Sequence, residues 1–143
     1  MEKQDDKLLG YIHQNAKMGT DTIAYMVKVT NDIPFRRALE SQQRDYQAIV
    51  DEAQQLGQQR GYTVAKVPDP AAAASNSMLK LGLMNNDSVQ NMAKMLIKGS
   101  TNGVIEITRH RKECKEVDGQ VDALAERLLQ AEQQNIDQMK RYL

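Results

Sequence analysis

The sequence contains very few residues that cross-link or interrupt a chain. Its 143 residues include one cysteine, Cys114, and three prolines, Pro34, Pro68 and Pro70. A single cysteine cannot form a disulfide within the chain, and a reducing cytoplasm is then the simplest compartment. Because proline breaks helices, the long stretches without it leave room for long helices.

Aromatic residues and net charge are also scarce. The chain has one Phe, five Tyr and no Trp, and its 19 basic residues cancel its 19 acidic ones. A chain without net charge gives no electrostatic reason to expect nucleic acid or anionic lipid as a partner. The abundant residues are instead Ala, Leu, Met, Gln, Glu and Lys, which favour long helices, with Met able to fill gaps in a core.

Long hydrophobic runs are missing as well. No apolar stretch reaches the roughly 18 residues of a membrane span, and residues 1–7 are too charged for a signal peptide. We therefore expect a cytoplasmic all-α protein without a membrane partner. The length predicts a single domain covering residues 1–143.

Apolar residues recur at alternating spacings of three and four, which is typical of helices packed in a bundle. The stretches with this pattern cover residues 5–31, 33–60, 88–114 and 118–143. Asp32 and Pro34 favour a new helix directly after the first, and Gly61 favours the end of the second. Turns this short predict two antiparallel hairpins.

The connection at residues 62–87 is different. Pro68 and Pro70 disfavour helical geometry in the residue before each of them, so this part runs extended. A helix of about 27 residues is roughly 40 Å long, and about 12 extended residues can span that distance. We therefore predict a long crossover and an up-down-down-up bundle; the alternative is a floppy loop.

Two polar residues interrupt the apolar seam of the last helix. Glu132 and Asn135 lie one turn apart where core side chains are expected. Buried polar groups are costly unless they are paired, so these two residues need a polar partner on another helix. The alternative places Glu132 at the rim of the bundle with its carboxylate in water.

Glycines within the helices also need a physical reason. A mid-helix glycine costs about 1 kcal/mol relative to alanine, yet Gly19, Gly99 and Gly103 all fall inside predicted helices. We expect them to leave room for a large neighbour, such as Tyr46.

The segment 132–137 reads Glu-Gln-Gln-Asn-Ile-Asp, and the segment 43–46 reads Gln-Arg-Asp-Tyr. With two hairpins and a crossover, the chain resembles the ferritin-like superfamily, which includes bacterioferritins and rubrerythrins. Di-iron members carry Glu on the first and third helices and Glu-x-x-His on the second and fourth. The first segment resembles the bacterioferritin Glu-x-x-His-Ile-Asp with Asn135 in place of the histidine. The chain is also similar to small ferritin-like proteins of unknown function, and to the spore-coat type, found in Firmicutes.

The resemblance implies a core polar layer where relatives bind metal, with the Tyr46 hydroxyl directed toward Glu132 or Asn135. The positions that it assigns to this layer are Gly19, Gln43, Tyr46, Gly99, Glu132 and Asn135. Only Glu132 among them carries a carboxylate, whereas a di-iron centre needs several carboxylates and imidazoles. We therefore expect a non-catalytic structural or association protein with no catalytic residues and no cofactor.

Two other interpretations remain open. One is a metal-binding ferritin-like protein with an altered site that uses Glu132, Glu106 or His110 to hold iron or another divalent metal, with a role in iron storage or oxidative stress. In this reading His13 and His110 lie near each other. The other is a helix-bundle scaffold without kinship to ferritins, which a simple up-down topology would favour.

The crossover also suggests a partner. Its apolar residues are Met78, Leu79, Leu81, Leu83 and Met84. So much apolar surface has to cover the bundle or meet another subunit. We expect a homo-oligomer, with a dimer favoured.

Overall fold

A computed structural model describes residues 2–62, 64, 80, 82–84 and 86–143. Within these residues it contains four long helices and no strand. The helices are α1 (Glu2–Val29), α2 (Ile33–Gln59), α3 (Val89–Glu113) and α4 (Gly119–Lys140). The predicted all-α class is confirmed. Of the predicted crossover, residues 63, 65–79, 81 and 85 lie outside the described residues.

Side-chain caps set the starts of three helices. Asp32, Ser88 and Asp118 each accept a hydrogen bond from a backbone N–H of the first helical turn, at 2.8, 3.1 and 2.8 Å. Pro34 lies in the first turn of α2, where its missing N–H is not needed. Gly61 follows α2 with a φ of 73°, a left-handed conformation that glycine adopts readily.

Contacts between α1 and α3 show that these helices run in opposite directions. Tyr11 stacks on His110 with ring centroids 3.4 Å apart. One turn further along α1, the amide of Asn15 donates to the carbonyl oxygen of Gly103 at 3.3 Å. Moving up α1 therefore corresponds to moving back along α3.

The same reasoning applies to α2 and α4. The amide of Gln42 donates to Gln138 at 2.8 Å. Glu52, which comes later in α2, pairs with Arg127, which comes earlier in α4, so these two helices are antiparallel as well. Arg60, which follows α2, pairs with Asp5 near the start of α1, so α2 ends where α1 begins. Because α1 and α3 are antiparallel, α3 begins at the opposite end of the bundle. The predicted up-down-down-up order of two hairpins and a crossover is therefore confirmed.

The core runs the length of the bundle and is mostly aliphatic. At one end the rings of Phe35 and Tyr142 meet edge to face with centroids 5.0 Å apart. At the other end Arg60 pairs with the buried carboxylate of Asp5, whose other oxygen accepts the backbone N–H of Asp118 at 2.7 Å. This polar contact fastens α1, the end of α2 and the start of α4 together. Within the described residues, none of the helices has the length and apolar character of a membrane span.

A candidate site: the polar layer and cleft at mid-height of the bundle

Tyr46 and Glu132 meet in the middle of the core. Tyr46 on α2 is 4% exposed and Glu132 on α4 is 3% exposed. The Tyr46 hydroxyl donates to Glu132 Oε1 and lies 3.4 Å from the hydroxyl of Ser100 on α3. Three helices thus supply one hydrogen-bonded group, which we call the polar layer together with Asn135. Glu132 does not lie at the rim of the bundle.

Two glycines on the facing helices make room for these side chains. A Cβ at position 19 would lie 2.9 Å from two carbons of the Tyr46 ring, closer than real Cβ contacts come. A Cβ at Gly103 would overlap the carboxylate of Glu132. Because side-chain atoms from α2 and α4 occupy these volumes, glycine is required on α1 and α3 despite its low helix propensity.

Two residues that were assigned to the layer do not belong to it. Gly99 is exposed, and a Cβ there would meet no atom within 4 Å. Gln43 is half-buried, whereas its neighbour Gln42 is 2% exposed and bonds to Gln138. For Gln43 the reason is helical register: Gln42, four residues before Tyr46, continues its buried seam, whereas the spacing of three in a Glu-x-x-His motif selects Gln43.

Burial without a countercharge controls the electrostatics of the layer. Desolvation raises the pKa of Glu132 to about 7, against the lowering effect of the hydrogen bonds from Tyr46 and Ser100. Desolvation, and then the charge of Glu132, raises the pKa of Tyr46 far above its ordinary value. The phenol therefore stays protonated and donates, while the carboxyl exchanges its proton near neutral pH.

Asn135 is buried in the same layer, at 4% exposure. Its amide lies close enough to the Tyr46 hydroxyl to lower the pKa of that phenol. This effect is smaller than that of burial, which raises the same pKa. The nitrogen Nδ2 nevertheless has no partner with hydrogen-bond geometry among the described residues. Since buried polar groups are normally paired, this nitrogen is a weak point of the layer.

A cleft of about 450 Å³ opens beside the polar layer, between α1 and α3. Its walls are largely apolar, with Met18 and Ile23 on α1 and Met95 and Leu96 on α3. Glu132 also lines it, and reaches it from α4 behind the two wall helices. The cleft therefore combines apolar walls with a buried carboxyl group.

The two histidines have different surroundings. His13 is buried beside the amide of Gln54, 3.3 Å away, and burial lowers its pKa. His110 stacks on Tyr11 instead, with Glu106 and Glu113 at 3.6 and 3.4 Å. Because Tyr11 lies two residues before His13, His110 lies within about one turn of His13 in height, as expected, but the two imidazoles contact different neighbours.

Metal-ligand geometry is also missing elsewhere in the described part of the chain. There, no group of three or more His, Cys, Asp or Glu side chains is arranged to hold a metal ion. Glu106, an exposed residue, and Glu132 line the same cleft, but the other positions in the layer offer a phenol, a hydroxyl and an amide. This donor set does not fit a di-iron centre.

Sequence reasoning missed the hydroxyl of Ser100 and the cleft. Ser100 is a polar residue in the buried seam of α3, one turn before Gly103, and this position was the available signal. The cleft depends on how far apart α1 and α3 pack, which no residue pattern specifies.

Comparisons with known proteins support the fold and no more. No protein-family model matches the sequence, and no curated protein matches it either. A crystal structure of a DUF305 fragment from Deinococcus radiodurans is similar, with a TM-score of 0.74 over 96% of this chain and 93% of that chain. The two sequences are 13% identical. This likeness shows a shared helical fold, and kinship with the ferritin-like superfamily stays a prediction.

Proposed function

We propose that this protein is a single-domain, cytoplasmic, non-catalytic bundle of the ferritin-like type that acts by association, first of all with a second copy of itself. The observation that carries the non-catalytic part is the side chain of Tyr46, which fills the mid-core volume and donates to Glu132. A carboxyl group held by two hydroxyls is satisfied by hydrogen bonds and a proton, and needs no cation for its structural role. The layer is then a structural element of the core.

Exposed apolar side chains support association. Among the described residues, the large hydrophobic side chains with the greatest exposure are Ile33, Met84, Ile105 and Leu143. Ile33 begins α2, Met84 precedes α3 and Leu143 follows α4, so these three lie at the same end of the bundle. Met84 is 79% exposed, whereas the adjacent Leu83 is packed at 4%. Exposed apolar groups gathered at one end favour contact with another apolar surface.

Sedimentation equilibrium tests this association. We expect the full chain to be a dimer at micromolar concentration, and Ile33→Ser combined with Met84→Ser to shift it toward monomer. Ile105→Ser is the control, because this apolar residue is also more than half exposed but lies mid-helix on α3. A wild-type chain that stays monomeric even at about 100 µM, far above the micromolar range where the dimer is expected, contradicts the proposal, because dimerisation follows mass action.

The metal-binding alternative has one observation in its favour. Glu106 and Glu132 line the same cleft, and His110 lies 3.6 Å from Glu106. Metal analysis of protein purified without chelators separates the two proposals. We expect no stoichiometric iron, manganese or zinc. Two iron ions per chain that are lost in Glu132→Gln would replace the structural interpretation with the metal-binding one.

A further inference from the structure

The cleft between α1 and α3 contains a carboxyl group without a cationic partner. The hydrogen-bond donors to Glu132 are the neutral hydroxyls of Tyr46 and Ser100. Among the described residues, no Lys, Arg or His side chain comes within 4.0 Å of it, although Lys98 lines the same cleft. A buried carboxylate is strongly stabilised by a positive charge at short range. When Glu132 is ionised, a cation in the cleft would therefore supply the countercharge that its protein neighbours do not.

The cleft has the dimensions of a small-molecule site. Its volume of about 450 Å³ lies within the range of roughly 300–1,000 Å³ found for ligand pockets. Met18 and Met95 lie on opposite walls, and the flexible thioether side chain adapts to ligands of different shape. An apolar body with one charged group matches these walls and the single acceptor between them.

Access to the cleft is open at Gly99. This residue lines the cleft, and a Cβ there would meet nothing within 4 Å. Glu106 adds a second, exposed carboxylate among the lining residues. The α1 residues that line the cleft carry no charge. The acidic groups are thus Glu132 inside and Glu106 nearby, with Lys98 the one opposing charge among the lining residues.

We infer that this cleft binds a small organic monocation, with its ammonium group against Glu132 and its apolar body between the walls of α1 and α3. A simple metal ion is a poorer match, because most of the lining offers carbon atoms and not oxygen ligands. An anionic ligand would meet the carboxyl group directly. This inference goes beyond association, since a bundle that only associates needs no ligand.

Calorimetric titration of the full chain at pH 8 tests the inference. The probe is 2-phenylethylammonium, and its neutral isostere 2-phenylethanol is the matched control ligand. We expect the ammonium compound to bind about tenfold more tightly or better, because a charge-assisted hydrogen bond inside the cleft is stronger than a neutral one. Equal affinity for the two probes, or no heat of binding from the ammonium compound, would overturn the inference.

Two variants locate the binding. Glu132→Gln should remove the preference for the ammonium compound, whereas Glu106→Gln should keep most of it. Gly99→Leu places a larger side chain at the cleft, at a position where its Cβ meets nothing within 4 Å, and should weaken both probes about tenfold or more. Circular dichroism establishes that each variant is folded. A preference for the ammonium compound that survives Glu132→Gln places the cation elsewhere and contradicts the assignment.

Discussion

Two buried carboxyl groups in this bundle are held in different ways. Asp5, at the end where α1 begins, is 6% exposed and pairs with the guanidinium group of Arg60. Glu132, at mid-height, is 3% exposed and is held by the hydroxyls of Tyr46 and Ser100. The two carboxyl groups are buried to a similar extent, but Asp5 has a cationic partner and Glu132 has neutral ones.

The difference separates a structural contact from a candidate site. A cation beside Asp5 offsets the cost of removing that carboxylate from water, so the group serves to hold helix ends together. Hydroxyls cannot offset a full charge in the same way, and desolvation raises the pKa of Glu132 to about 7. The mid-bundle carboxyl group therefore exchanges protons near neutral pH, and it is the one that an external cation can stabilise.

The largest expected effect is the pH dependence that Glu132 imposes on stability. A folded-state pKa of about 7 lies above the value of 4.5 for an exposed glutamate, so the native state binds more protons than the unfolded state between these pH values. Its contribution to stability is full below about pH 4.5 and is lost as the pH rises through about 7. At 1.36 kcal/mol per pKa unit, the loss is about 3 kcal/mol.

Urea unfolding at several pH values measures this effect. We compare the free energy of unfolding of Glu132→Gln with that of the wild type at each pH. As the pH is raised from 4.5 to 8, the difference should change by about 3 kcal/mol in favour of the variant. Asp5→Asn is the matched control, and it should lose stability at pH 8 because Arg60 is left without the carboxylate. A wild-type to Glu132→Gln difference that does not change with pH would contradict the account.

The second effect comes from removing the cation at the bundle end. Arg60→Ala leaves Asp5 buried without its partner and should lower the free energy of unfolding by about 2 kcal/mol, since Arg60 is itself 24% exposed. Arg127→Ala breaks an ion pair with Glu52 in which both side chains are more than 40% exposed, and should cost less than about 1 kcal/mol. Similar losses in the two variants would mean that Asp5 does not depend on its cation.

The third effect probes the hydroxyl partners of Glu132. Tyr46→Phe keeps the ring and removes one donor, so it should cost about 1.5 kcal/mol at pH 8. The Tyr46 hydrogen bond lowers the pKa of Glu132, and without it that pKa should rise further. Thermal unfolding and a pH titration of the variant measure the two outcomes. Loss of stability without a rise in that pKa would show that the hydroxyl only fills space.

The smallest effect contrasts two glycines that face the middle of the bundle. Gly19→Ala brings a Cβ against the Tyr46 ring and should lower stability by about 1 kcal/mol despite better helix propensity. Gly99→Ala meets open space and should raise stability by up to about 1 kcal/mol. Chemical denaturation of both variants checks the opposite signs. The same sign for both would mean that Gly19 does not make room for Tyr46.

Much of the architecture could be predicted from the sequence because helix starts and seams depend on local chemistry. Asp32 and Pro34 mark the start of α2, and the apolar spacing gives each long helix its buried face. The crossover order followed from the length and proline content of one connection. These signals lie within single elements or between chain neighbours.

The details of the site depend on contacts between distant helices, and prediction was weaker there. The resemblance to the ferritin-like motif predicted the Tyr46 hydroxyl toward Glu132 or Asn135, and the structure has it donate to Glu132. The choice of Gln43 over Gln42 followed a motif and not the register, and Gly99 turned out to line an open cleft. Cleft width and hydroxyl orientation arise from packing, which periodicity alone does not specify.

The pKa of Glu132 tests the central claim most directly. Carbon-13 NMR of protein labelled at glutamate carboxyl groups, with Glu132→Gln to assign the signal, follows this group as the pH changes. The account predicts a midpoint of about 7 in metal-free protein. A midpoint at or below the ordinary glutamate value of about 4.3 would show that a cation or water already compensates the carboxylate, and would contradict the contrast with Asp5.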